Sequence, residues 1–326
     1  MHMADALLSP AVAVTMCAVS GAAVAYSAAK MKRDELSENK LPLTAVAGAF
    51  VFAAQMINFT IPATGSSGHI GGGMLLAALV GGDAALVAIT AVLLIQAFFF
   101  ADGGLLALGC NIFNMGVIPC LVVYPLLFKP LMRGGSVQKK LMPAAVISSV
   151  IALLAGAFSV VLETTVSGIA ELPFSTFVML MLPIHLAIGI VEGLVTGAVL
   201  SFVWKTRPES LDCADVMGGV SSMKTLIAAF TVLALFCGGI LSSFASAYPD
   251  GLEWSVFKAT GKEELEASGE IFDKSAALQE RSSLMPDYEF KDGGGTAAAG
   301  VIGSAATFAV TAAACALLYR RRKNAN

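Results

Sequence analysis

Two of the three histidines in this 326-residue chain sit where they could share a metal ion. They are His2, in the opening "MHMADALLSP", and His69, inside the glycine-rich "GSSGHIGGG". Methionine aminopeptidases remove Met1 only when residue 2 is small, so Met1 is expected to stay, with its α-amine free. The Met1 amine, the His2 backbone nitrogen and the His2 Nδ1 are then consecutive donors. The first two close a five-membered chelate ring and the last two a six-membered ring. An ion that displaces the amide proton receives three nitrogens in one plane. Such a set suits Ni(II) or Cu(II) and fits zinc or magnesium poorly. His69 is the expected fourth donor, since Gly68, Gly71, Gly72 and Gly73 let the backbone approach closely and bend. Each histidine alone reads as a surface residue; the pair points to a metal. A phosphate-cradling loop would need a Lys-Ser/Thr after the glycines, and none follows.

Other polar residues fall in apolar surroundings. His185 lies in "MLPIHLAIGIVEGLVTG", with Glu192 two helical turns on and on nearly the same face. An ionisable residue inside a span is a functional candidate, although a simply hydrogen-bonded histidine of the bundle fits as well. Asp102, Asn111 and Asn114 lie in "FFFADGGLLALGCNIFNMG". They are candidates for orienting the histidines or the N-terminal segment; Asp-Gly turn chemistry is the other reading.

These residues must be held by membrane helices. Hydrophobic residues make up 57% of the chain and charged residues 13%, with a mean hydropathy of +0.80. A soluble domain would carry about 25% charged residues. The expected fold is an all-α polytopic bundle. Spans of mostly apolar residues are predicted near 8–29, 42–60, 70–81, 84–100, 111–128, 142–162, 175–203, 224–246 and 297–319. The basic clusters at 30–33, 129–140, 204–207 and 320–323 all fall on one side of this threading. By the positive-inside rule that side is cytoplasmic, with the N-terminus outside and the C-terminus inside. The apolar start has no basic residue ahead of it, unlike a cleavable signal peptide. The stretch 70–100 is ambiguous, being either one helix broken at "GGD" or a tight hairpin. Only the hairpin keeps the basic clusters on one side.

The chain divides near residue 222, after the polar link "KTRPESLDCADVMGGVSSMK". Residues 1–222 form a seven-span body, and 223–326 a two-span module around an outer loop, 247–296. That loop holds eleven acidic and five basic residues, which fits a solvated loop or a weak collector of divalent cations. Small residues recur every four positions at Gly189, Gly193 and Gly197 and from Gly303 to Cys315, a spacing for close helix contact. The six cysteines are scattered, against a disulfide framework or cysteine zinc site. No nucleotide-binding loop and no HExxH helix occurs, so the chain is not expected to use ATP itself or to be a membrane metalloprotease.

The stretches "MHMADALLSP", "GSSGHIGGG", "CNIFNMG" and "HLAIGIVEGLVTG" resemble the NikM/CbiM family, the substrate-capture components of energy-coupling factor (ECF) transporters for nickel and cobalt. The likeness covers about 1–205. The C-terminal part, with "YPDGLEW", is similar to the NikN/PDGLE-type partner. The resemblance implies a transporter subunit of the cell membrane, not an enzyme, that binds its ion through the Met1 amine, the His2 amide and imidazole, and His69. It further implies a membrane coupling component and two cytoplasmic ATPases on other chains. Nickel is expected over cobalt, because the strong field of a deprotonated amide favours square-planar Ni(II). The alternative is a stand-alone secondary cation transporter or channel, but the two matching halves common in such carriers are not evident.

Overall fold

The computed structural model describes residues 1–33, 40–207, 211, 222–262, 265, 267–290 and 293–323. Most of the polar link, residues 208–210 and 212–221, lies outside the described residues, as do Glu263, Glu264, Glu266, Lys291 and Asp292 of the outer loop.

Among the described residues, seven helical runs are long and apolar enough to cross a membrane. They are α1 (Pro10–Arg33), α4 (Gly82–Phe99), the run Leu108–Met132, α7 (Val137–Ser167), α8 (Phe174–Thr206), the run Met223–Phe244 and α12 (Thr296–Lys323). The run Leu108–Met132 comprises α5 (Leu108–Ile112), a π-wound stretch Phe113–Phe128 carrying Pro119 and Pro125, and α6 (Lys129–Met132). The run Met223–Phe244 opens with α9 (Met223–Gly239). Two further predicted spans are helices of less than full length, α2 (Lys40–Gln55) and α3 (Gly73–Val80). At 1.5 Å per residue the eight residues of α3 rise only about 12 Å. The irregular chain before α3 is packed inside protein, where non-helical backbone is tolerated at membrane depth.

Gly81, at φ +89, separates α3 from α4, and the two pack together as a hairpin. Lys30 Nζ, near the end of α1, lies 2.8 Å from Asp83 Oδ2 in the first turn of α4. The α3–α4 break is therefore at the end of the bundle that carries the basic terminus of α1. Met1 and His69 meet at the opposite end.

All eight residues of α3 are buried, and α4 is mostly so, which makes this hairpin the centre of the bundle. Leu126, Val166 and Met179 are exposed, as side chains facing lipid would be. The small-residue stripes serve contacts within the chain. A Cβ on Gly193 of α8 would lie 2.4 Å from Val146 Cα of α7, and Gly189 and Gly197 face Val150 and Met142 in the same way. Gly303 of α12 gives room to the ring of Phe52 on α2. α9 and α12 cross where Gly300 meets Gly238, a Cβ on Gly300 falling 2.1 Å from the Gly238 carbonyl oxygen. Both also pack on α2, so the C-terminal helices join the same bundle.

Four elements were not predicted. A two-stranded antiparallel ribbon, β1 (Phe59–Ile61) and β2 (Ser66–Gly68), leads into His69. The outer loop contains two helices, α10 (Gly251–Thr260) and α11 (Glu270–Ser282). Its Asp250 and Glu253 form a complete capping box on α10, which is how a polar, charge-rich segment starts a helix here.

Candidate metal centre at the N-terminus

The N-terminal segment is threaded into the protein and fixed at its third residue. Met3 N–H donates to Asn111 Oδ1 at 2.7 Å, and Asn111 Nδ2 donates back to Met3 O at 3.3 Å. Asn114 Nδ2 donates to Glu163 Oε2 at 2.8 Å and approaches Met3 Sδ at 3.7 Å. The Asp5 carboxylate accepts from Ala107 N–H at 3.0 Å and from Ser275 Oγ at 2.6 Å. Met1 thus arrives at a fixed place, with 6% of its surface exposed.

There its amine lies 3.2 Å from His69 Nε2 and 2.6 Å from Asp250 Oδ2. His69 Nδ1 sits 3.0 Å from the Ile70 carbonyl, to which it can only donate. Nε2 then carries the lone pair and faces the amine. The loop that holds His69 is pinned from two sides. Glu192 Oε2 accepts from Gly71 N–H at 2.6 Å and Glu192 Oε1 from Gly72 N–H at 3.1 Å. Across the loop, Ser67 N–H donates to Pro249 O at 2.8 Å and Ser67 Oγ to Tyr248 O at 2.7 Å. Trp254 Nε1 donates to Thr64 O at 3.0 Å. The outer loop therefore grips the ribbon that positions His69.

His2 stacks on His69, their ring centres 5.2 Å apart and their planes 20° from parallel. Its Nδ1 lies 3.2 Å from Asp102 Oδ1 and its Nε2 3.0 Å from Gln96 Oε1. Gln96 Nε2 donates to Gln55 Oε1 at 2.9 Å, and Gln55 Nε2 to Gly71 O at 2.7 Å. A chain of side-chain amides so links the two histidine segments. The Tyr288 hydroxyl donates to Asp102 Oδ2. His185 is also buried here. Its Nδ1 is 2.8 Å from Met181 O, while Nε2 has no hydrogen-bond partner among the described residues. It lines one small cavity with Met1, His69 and Asp250.

The electrostatics keep the imidazoles neutral. Burial lowers His2 below its ordinary 6.5, with Asp102 pulling the other way. Burial and then the positive amine bring His69 down to about 3. For Asp250, burial alone would raise the carboxyl, but the amine and His69 outweigh it and hold it below the ordinary carboxylate range. Burial and Asp102 raise Tyr288 well above its usual value. Neutral imidazole is the form that binds metal. Among the described residues no three His, Cys, Asp or Glu side chains are grouped to hold an ion. A metal here must draw on the terminal amine or the backbone as well.

All the predicted residues converge on this end of the bundle. Met1, His2 and His69 meet, Asp102 touches His2, Asn111 and Asn114 hold the N-terminal segment, and His185 lines the cavity. Asp250, Gln96, Gln55 and Tyr288 were missed. Gln55 and Gln96 had a signal, as polar residues within apolar helices. Asp250 had one as well, the Asp-x-x-Glu spacing of a capping box.

The model of the cobalt uptake substrate-specific transmembrane region (CbiM) matches residues 2–210. The chain belongs to this family. Behind it, the PDGLE domain model matches residues 224–320. The fused nickel transport protein NikMN of Rhodobacter capsulatus is 35% identical over 231 residues, covering 65% of this chain and 64% of that one. The cobalt transport protein CbiM of Geobacter sulfurreducens is 29% identical over 257 residues, 76% of this chain and 72% of that one. A solved structure of a truncated transition metal transporter superposes with a TM-score of 0.54 at 29% identity, covering 62% of this chain and 98% of that chain. The family is one of metal-transport components and not of enzymes.

Proposed function

We propose that the chain is the substrate-binding membrane component of an ECF-type, ATP-driven importer for Ni(II), with Co(II) as the alternative cargo. The Met1 amine, the His2 amide and Nδ1, and His69 Nε2 form the chelate. The observation that carries this reading is the 3.2 Å approach of the amine to His69 Nε2 across 68 residues of sequence. Two nitrogens at that separation can each lie about 2.0 Å from one ion. To complete the square, the His2 ring turns its Nδ1 from Asp102 toward the ion, and the amide proton is lost. The membrane is the cell membrane, with the N-terminus and outer loop outside. The body is residues 1–222 and the module 223–326. A membrane coupling component and two cytoplasmic ATPases on other chains supply the energy.

The test is a Ni(II) titration of the purified full chain, followed by absorption spectroscopy. One ion per chain with a diamagnetic square-planar band is expected, and His69→Ala should weaken binding. A paramagnetic octahedral spectrum, or unchanged affinity in His69→Ala, would sink the chelate.

A further inference from the structure

Asp250 belongs to the C-terminal module, yet its carboxylate is a working part of the N-terminal site. Its two oxygens divide the work. Oδ1 caps α10, accepting from Leu252 N–H at 2.8 Å and Glu253 N–H at 2.9 Å. Oδ2 is turned away to the Met1 amine at 2.6 Å, and stands 3.9 Å from His69 Nε2. A capping aspartate needs only one oxygen for its helix; the other is free for the site. Asp250 and His69 are also the two described side chains that line both the inner cavity and the wide outer cleft. An ion coming from outside therefore meets them on its way in.

We propose that Asp250 is a fourth metal-site residue, the counter-charge that the C-terminal module contributes to the ion held by Met1, His2 and His69. The inference rests on that chelate. Set at right angles to a metal–nitrogen bond of about 2.0 Å, an oxygen 3.9 Å from His69 Nε2 lies about 3.3 Å from the ion. An ion on His69 thus sits within ion-pair reach of Oδ2, outside bonding distance. Charge makes the same demand. A four-nitrogen square around a divalent ion, with one amide deprotonated, has net charge +1. A buried net charge is costly, and the Asp250 carboxylate cancels it. As ammonium and carboxylate, Met1 and Asp250 already sum to zero, so the exchange is neutral throughout. One divalent ion enters, and two protons, from the amine and the amide, leave to the outer cleft. Asp250 stays out of the plane, since the four in-plane positions belong to nitrogens.

The experiment uses the full chain, stripped of metal and titrated with Ni(II) chloride against a competing chelator. Asp250→Asn keeps the oxygen that caps α10 but loses the charge, and is expected to weaken Ni(II) binding about 10–100-fold, the range for partners that tune a metal site. Glu253→Gln disturbs the same cap without touching the amine, and should bind like the parent. The square-planar absorption band should be the same in the parent and in Asp250→Asn, since no nitrogen donor changes. If both variants lose affinity equally, Asp250 acts through its helix and the proposal is wrong. If Asp250→Asn binds as well as the parent or better while His69→Ala is weakened, Asp250 supplies no counter-charge but the chelate stands. If neither Asp250→Asn nor His69→Ala changes affinity, the chelate itself fails, and the proposal with it.

Discussion

The amide of Gly71 lies 2.6 Å from a carboxylate oxygen of Glu192, which is 121 residues further along the chain. Since the other oxygen takes Gly72 at 3.1 Å, one side chain of α8 sets the backbone of the loop that presents His69. Glutamine at 192 could accept from one of these N–H groups but would turn an NH2 toward the other. Glu192→Gln is expected to weaken Ni(II) binding about 10–100-fold with no change in donor count. Binding isotherms together with the absorption spectrum check this. A changed band shape would mean that Glu192 does more than position.

Gly72 has φ +77, and a Cβ there would come within 2.3 Å of Val51 Cγ1. Both the left-handed backbone and the lack of space require glycine. Gly72→Ala should cost about 1–3 kcal/mol and lower the thermal midpoint in detergent. A midpoint within error of the parent would show that the loop relaxes around the methyl group.

Asn111 holds Met3 on both its N–H and its carbonyl, so the reach of the amine is counted from a fixed residue. An acetyl group on the Met1 amine leaves that reach unchanged but removes one donor of the five-membered ring. Metal analysis of protein acetylated at its N-terminus should find no stoichiometric nickel. Stoichiometric nickel would refute the ring argument.

Acid should loosen the site before any ion is added. His69 is held at about 3 when folded, against an ordinary 6.5. Between those values the unfolded chain binds a proton that the folded chain does not, so stability falls as pH drops from 6.5 toward 3. Asp250, held below its ordinary 3.8, adds a loss of the same sign at the acid end. Thermal midpoints measured from pH 7 to 4 should decline, and His69→Gln should flatten the decline. Equal slopes in both proteins would remove His69 as the cause.

Much of this was legible in the sequence because membrane helices leave strong traces. Nine apolar runs and four basic clusters were enough to find the helices of the bundle and the α3–α4 hairpin. The meeting of Met1, His2 and His69 was an expectation from donor chemistry alone, with no distance behind it. The short β ribbon was not legible, since "FTI" and "SSG" are three-residue segments with no periodicity to read. Asp250 was not singled out because its charge lay among eleven acids of one loop. Only the fold shows that Asp250 is the one that reaches the Met1 amine. The ring direction of His2 was equally hidden, because it depends on Gln96 and Asp102, distant in sequence and brought together by packing.

The glycine crossing of α9 and α12 has a consequence for genetics. Both ends of the outer loop leave from helices held at backbone contact by Gly238 and Gly300. A side chain at either position would wedge them apart and draw Asp250 off the amine without altering a single donor. A screen for loss of metal uptake should therefore recover changes at these two glycines, and a map of such hits would point away from the very atoms that fail.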